Sequence, residues 1–375
     1  MGLTLSHVSA LDATRAIRCN GSDLRKMTTT ELCAPSVWKG ERWVMGLFGK
    51  PDWQWLAPSK QHHLHVLVDH KSNYIRMATI ESHAQTRELP PNSIIWLDQH
   101  ASMVCPELLF LQMAQLLSLP ELVQLGNELC GNFSRPSVAS LQSDAKTHIP
   151  SATSVAQISA YLESADGIWG VKAARRALSY VSDHALSAHE SILATMYALP
   201  LDEYGYGMGP VSLNQRVYLD GEDSEDLWGS VSTVRSRFPD LLCSFAPVGI
   251  NYDGEGHLNL DGLIEAAQRV TATKDDGHKE ALVELMNTRD AIRDKYVDDI
   301  KRNRQLVSEG YLVFPATKED LATIQHLDDF TRDVLKAANR YYGVDVDAHL
   351  QALEDSNKRI ERESILKQLQ RGSEA

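Results

Sequence analysis

The stretch from Phe238 to His257 constrains the fold more than any other part of the chain. Two short apolar runs, Leu241-Leu242 and Val248–Ile250, flank a turn at Ala246-Pro247, which predicts a pair of strands with a tight connection. Asp240 opens the first strand directly after a proline, and Asn251, Asp253, Glu255 and His257 follow the apolar part of the second. Oxygen and imidazole groups therefore crowd one corner. Such a donor set suits a hard divalent cation, of the kind that phosphodiester hydrolysis employs.

At 375 residues the chain has room for two domains, each with its own core. With 43% hydrophobic and 23% charged residues it has the composition of an ordinary globular protein. A formal net charge of -13 argues against a protein that coats nucleic acid nonspecifically, while leaving room for a local DNA-binding face. The five cysteines are widely spaced and form no Cys-x-x-Cys pair. That pattern disfavours structural zinc and a disulfide framework, and predicts reduced thiols in a cytoplasm. Neither an export signal nor a stretch of membrane-spanning length is evident, so no membrane is expected.

In chain order, the pattern predicts a strand and then a capped helix over residues 3–18, and an irregular segment over 19–60 that carries Trp38, Trp43, Trp53 and Trp55. Strands are expected at His63–Val68, near Ile75 and Ile80, and at Ser93–Leu97. Helices follow from Pro106 and from Leu119, each with proline in its first turn. The Ser/Pro/Thr-rich run 133–151 reads as a linker. Beyond it, helices are expected at 154–163 and 171–186, and Ser187-Ala-His-Glu190 makes a capping box for the next one. Asn214–Leu219 reads as a strand, 260–271 and 280–309 as helices, Tyr311–Phe314 as a buried strand, and Lys318 as the start of a helix that Thr317 caps. From Gly343 onward, a charged surface helix that frays into a tail is expected.

Pro239-Asp240, then Asn251-Tyr252-Asp253-Gly254 with His257, then Asp299-Ile300-Lys301-Arg302 ahead of the strand at Tyr311, resembles the PD-(D/E)XK nuclease superfamily. The branch it is most similar to is that of the very-short-patch repair endonucleases, whose pattern is an Asp, a Glu-x-Asp-Gly-x-x-His strand and an Asp-x-x-Arg helix. Asn251 stands where that branch carries its central Glu, and a neutral amide holds a cation more weakly and cannot act as a base. The helix pair from Pro106 and Leu119, with the histidine-rich strands before it, resembles the N-terminal region of type IV abortive-infection antitoxin-like proteins.

The resemblance implies an α/β fold: a restriction-endonuclease-like mixed sheet flanked by helices over residues 150–335, preceded by a smaller α+β domain over 1–140; the composition adds a charged helical tail over 336–375. The resemblance also implies Mg²⁺ held by Asp240, Asp253 and Glu190, with the Asn251 oxygen assisting and His257 moving a proton. Each residue also has a plainer reading. Glu190 serves as a cap, Asp253-Gly254 as a turn, His257 as a hydrogen-bonded bystander, and Asp299 with Arg302 as an intrahelical ion pair. Lys295, Lys301, Arg302 and Arg304 are the candidates for DNA phosphates, a solvated helix face being the alternative. Two functions remain open at this point: a metal-dependent DNA endonuclease, or an inactive nuclease-fold module that binds DNA or a protein partner in a toxin–antitoxin or phage-defence setting.

Overall fold

The computed structural model describes residues 3–27, 29–30, 46, 57–98, 100–137, 145–219, 236–253, 260–273 and 277–374, of which Thr30, Asp253, Leu260, Asp261 and residues 372–374 are described by backbone alone. The chain divides into two units, one of residues 1–213 with 364–375 and the other of residues 214–363. Both are mixed α/β, with strands in parallel and antiparallel pairs and helices around them.

In the first unit, β1 (Leu3–Leu5) leads into α1 (His7–Cys19), and β2 (Thr29–Thr30), β3 (Leu64–Val68), β4 (Ile80–Ala84), β5 (Ile94–Trp96) and β6 (Ala101–Val104) follow. They form one sheet in the order β2-β5-β6-β1-β3-β4. β1 runs parallel to β6 and antiparallel to β3, and β3 runs parallel to β4. A central strand has no solvent face, and Leu3, Thr4 and Leu5 are accordingly all buried, with the Thr4 hydroxyl meeting that of Ser102 at 2.9 Å. The helices start where local chemistry starts them. Cys105 and Pro106 open α2 (Pro106–Met113), while Ser118 and Glu121 close a capping box on α3 (Leu119–Leu129).

The run 133–151 differs from the linker expected of it. β7 (Phe133–Ser134) pairs with β8 (Lys146–Thr147), and Arg135 is buried against Glu128. Residues 138–144 lie outside the description. The unit boundary also falls later than the sequence suggests. α4 (Val155–Ser164) and α5 (Val171–Leu178) add Ile158, Leu162, Val171, Ala174 and Leu178 to the same apolar core as the six-stranded sheet, so the core extends past residue 150. α5 stops at Leu178 rather than 186, and α6 (Ala188–Ala198) and β9 (Val211–Leu213) complete the unit in chain order.

The second unit opens with β10 (Val217–Tyr218) paired to β11 (Ser236–Arg237). β12 (Leu241–Cys243) then pairs antiparallel with β13 (Val248–Asp253), and β13 pairs parallel with β14 (Leu312–Thr317). A parallel pair needs a crossover, supplied here by α7 (Leu260–Ala272) and α8 (Gly277–Ser308). After β14 come α9 (Lys318–Ala322), α10 (Ile324–Tyr342), α11 (Asp347–Glu354) and α12 (Ser356–Glu374). α10 buries Ile324, Leu327, Thr331, Val334, Leu335 and Ala338, one stripe at helical spacing, and ends on Gly343 at φ 68°. Its Tyr342 hydroxyl donates to the Gly310 carbonyl at 2.5 Å, tying the helix end to the turn before β14.

The expected fraying tail is instead an anchored helix. Arg362, Leu366 and Leu369 recur at i, i+4 and i+7 on α12, and all three are buried. Gln124 of α3 donates to the Leu369 carbonyl at 3.0 Å.

Candidate functional site

The antiparallel register of β12 and β13 sets Leu241 opposite Ile250, so one step outward Asp240 faces Asn251. The Asp240 N–H donates to Asn251 Oδ1 at 3.1 Å, and the Tyr252 N–H donates to Asp240 Oδ2 at 2.6 Å. These backbone bonds fix the direction of the carboxylate. On α8, Asp299, Arg302, Asn303 and Leu306 share one face by their i, i+3, i+4, i+7 spacing, and buried Leu306 turns that face inward. Arg302 consequently reaches Asp240 Oδ1 at 3.5 Å and Asp299 Oδ1 at 3.2 Å, and Asn251 donates its amide to Asn303 Oδ1 at 2.5 Å. One guanidinium thus bridges two carboxylates. The Asn251 side chain, 3% exposed, has its oxygen and its nitrogen both engaged.

Asp240 and Asn251 therefore converge. Asp253 lies two residues further along β13 and is described by its backbone only, while His257 and Glu255 fall outside the described residues. Glu190 belongs to the first unit, where it carries out its capping role: Oε2 accepts the Leu186 N–H at 3.0 Å and Oε1 accepts the Ser187 hydroxyl at 2.8 Å. The four basic candidates divide between two sides of α8. Lys301 and Arg304 share an exposed side with Arg293, whereas Arg302 turns toward Asp240 and the exposed Lys295 lies on the same side of the helix as Arg302. Asp290 and Asp294 accompany the exposed basic side.

A second cluster lies in the first unit, on strands the sequence marks only as histidine-rich. β3 and β4 run parallel with His65 opposite Glu81 and Leu67 opposite His83. Alternation puts His65, Glu81 and His83 on one face of the pair. His65 Nδ1 lies 2.9 Å from His83 Nε2, and His65 Nε2 lies 3.9 Å from Glu81 Oε2. His7, at the start of α1, stacks on His83 with ring centroids 3.7 Å apart. Its backbone sits at φ 49°, a costly conformation for a residue with a side chain, and its N–H donates to Gln112 Oε1 at 3.1 Å. Burial, then the neighbouring His83 and His65, pushes His7 down from its ordinary 6.5 to about 3. Burial, then His65, pushes His83 down to about 4, and His65 is lowered chiefly by burial. Each shift favours the neutral ring, the state in which imidazole ligates metals.

No family model, curated protein or solved structure matches the chain. What the two sites can do rests on their chemistry. In the Asp240 corner, an internal cation neutralises the carboxylates. In the histidine cluster, His65, Glu81 and His83 offer three ligand atoms within 4.8 Å of one another and could hold a metal ion. Among the described residues no helix is long and apolar enough to cross a membrane.

Proposed function

We propose that the second unit is a nuclease-like core that binds DNA without cutting it, its metal position taken by the side chain of Arg302. One observation carries the reading: the Arg302 guanidinium stands between Asp240 and Asp299 and pairs with the carboxylate that the nuclease resemblance assigns to the cation. A divalent ion entering there must displace a charge-assisted pair and a hydrogen-bonded Asn251. Arg293, Lys301 and Arg304 are the side chains for the phosphate backbone. Because acids accompany them and the chain carries a net charge of -13, binding through so few contacts is weak and steeply salt-dependent.

Duplex and single-stranded DNA, incubated with the full chain and Mg²⁺ or Mn²⁺, should remain uncut. The same DNA should be retained at low salt and released as salt rises, with Lys301→Glu/Arg304→Glu weakening binding about tenfold or more. Metal-dependent cleavage abolished by Asp240→Ala would overturn the reading, as would unchanged DNA affinity in the double variant.

The convergence of Asp240 and Asn251 favours a second reading, a Mg²⁺-dependent endonuclease weakened at its central ligand. Exchanging the amide for a carboxylate adds a full negative charge to an oxygen donor set. Titration calorimetry should then register Mg²⁺ binding to Asn251→Glu and little to the native chain. No gain of Mg²⁺ binding in the variant would leave this metal-site reading without support.

A further inference from the structure

The histidine face of β3 and β4 belongs to the first unit and owes nothing to the reading of the Asp240 corner. We propose that His65, Glu81 and His83 bind one borderline divalent cation of the Zn²⁺ class, with a fourth coordination position left for water or an oxygen anion.

Three observations converge on it. The donor set is two imidazoles and one carboxylate, which zinc uses where it keeps an open position and which Mg²⁺, a hard ion demanding oxygen, does not favour. The spacing is close to what the ion requires. Two Zn–N bonds of about 2.0–2.1 Å at a tetrahedral angle put their nitrogens about 3.3 Å apart, and His65 Nδ1 and His83 Nε2 lie 2.9 Å apart without an ion between them. Glu81, opposite His65 and 55% exposed at its side chain, offers a carboxylate oxygen that lies, with one nitrogen of each ring, within 4.8 Å of the other donors.

The surroundings hold the ligands in place. His7 lies face to face with His83, its own strained backbone fixed by Gln112 and its Nδ1 placed 3.1 Å from the Ser6 hydroxyl. A ring clamped in this way cannot turn its nitrogen away from the ion, the part that outer-shell contacts play at metal centres. His83 and His7 also line a cavity of about 370 Å³ together with Gln112, Gln115 and Arg87. Its polar wall and one guanidinium suit a small oxygen anion as the fourth ligand.

Metal-stripped full chain, titrated with Zn²⁺ in a calorimeter, should bind one ion per chain through this site, and Mg²⁺ at the same concentrations should not compete. Co²⁺ in place of Zn²⁺ should give the visible absorption of a four- or five-coordinate site. Glu81→Gln, at an exposed position that leaves the fold undisturbed, should weaken Zn²⁺ at least tenfold, and His83→Ala should remove the ion. Circular dichroism of the His83 variant confirms that it is folded. The inference is overturned if the native chain binds no Zn²⁺, if Mg²⁺ competes equally, or if Glu81→Gln binds Zn²⁺ as the native chain does.

Discussion

Asp328 and Arg362 are each almost completely buried, at 0% and 1% exposure, and face one another through two parallel bonds of 3.0 Å. Arg359 adds a third at 3.1 Å, and the remaining donors reach the Ala352 and Leu353 carbonyls. Such a pair costs a great deal to desolvate, so its presence measures what is lost when one partner goes rather than what the pair contributes. Asp328→Ala strands the buried Arg362 and is expected to cost about 3–5 kcal/mol in urea unfolding. Asp328→Leu with Arg362→Met should recover most of that loss, since the half-exposed Arg359 can turn to water. A single-variant loss below about 1 kcal/mol would show that water replaces the carboxylate. Asp240 and Arg302 make a different kind of pair: longer, partly exposed and shared with Asp299.

At the scale of elements, α3 is the hinge-pin of the first unit's packing. A Cβ added at Gly126 would lie 2.4 Å from Val181 Cγ2 and 3.0 Å from Phe110 Cε2, so the helix approaches its neighbours more closely than any other residue allows. Alanine raises intrinsic helix propensity by about 1 kcal/mol, while overpacking costs about 1–3 kcal/mol, and the β-branched Val181 has no flexible end to move aside. Gly126→Ala should therefore lower the melting temperature; a rise would mean that the Val181 turn yields. Two residues on, α3 carries Glu128, which accepts from both nitrogens of the Arg15 fork at 2.9 and 2.8 Å and from the Arg135 N–H at 3.1 Å. α1 and the strand after α3 are thus joined through one buried carboxylate.

For the whole molecule, that carboxylate sets an acid limit. Burial acts to raise Glu128, but Arg15 and Arg135 outweigh it and hold the group down from its ordinary 4.5 to about 2. A group whose pKa is lower in the folded than in the unfolded chain contributes its full stability above 4.5 and loses it as pH falls toward 2. Melting temperature should fall across that window in the native chain. Glu128→Gln should be less stable at pH 7 and flatter between pH 4.5 and 2; an undiminished slope in the variant would assign acid sensitivity to other groups.

What the sequence determines by itself is mostly local. Ser187 and Glu190 announce their helix start and Pro106 another, because caps depend on a few adjacent residues. The facing of Asp240 and Asn251 is legible for the same reason, since a short hairpin allows only one register. Tertiary structure alone decided that residues between Ala152 and Leu199 contribute to the first core, that Leu366 and Leu369 anchor a charged helix, and that Arg302 points at Asp240. Nor does any spacing in the chain unite His7, His65, Glu81 and His83. Their meeting depends on which strands become neighbours in the sheet, and strand pairing is a choice the whole core makes when it buries its apolar faces.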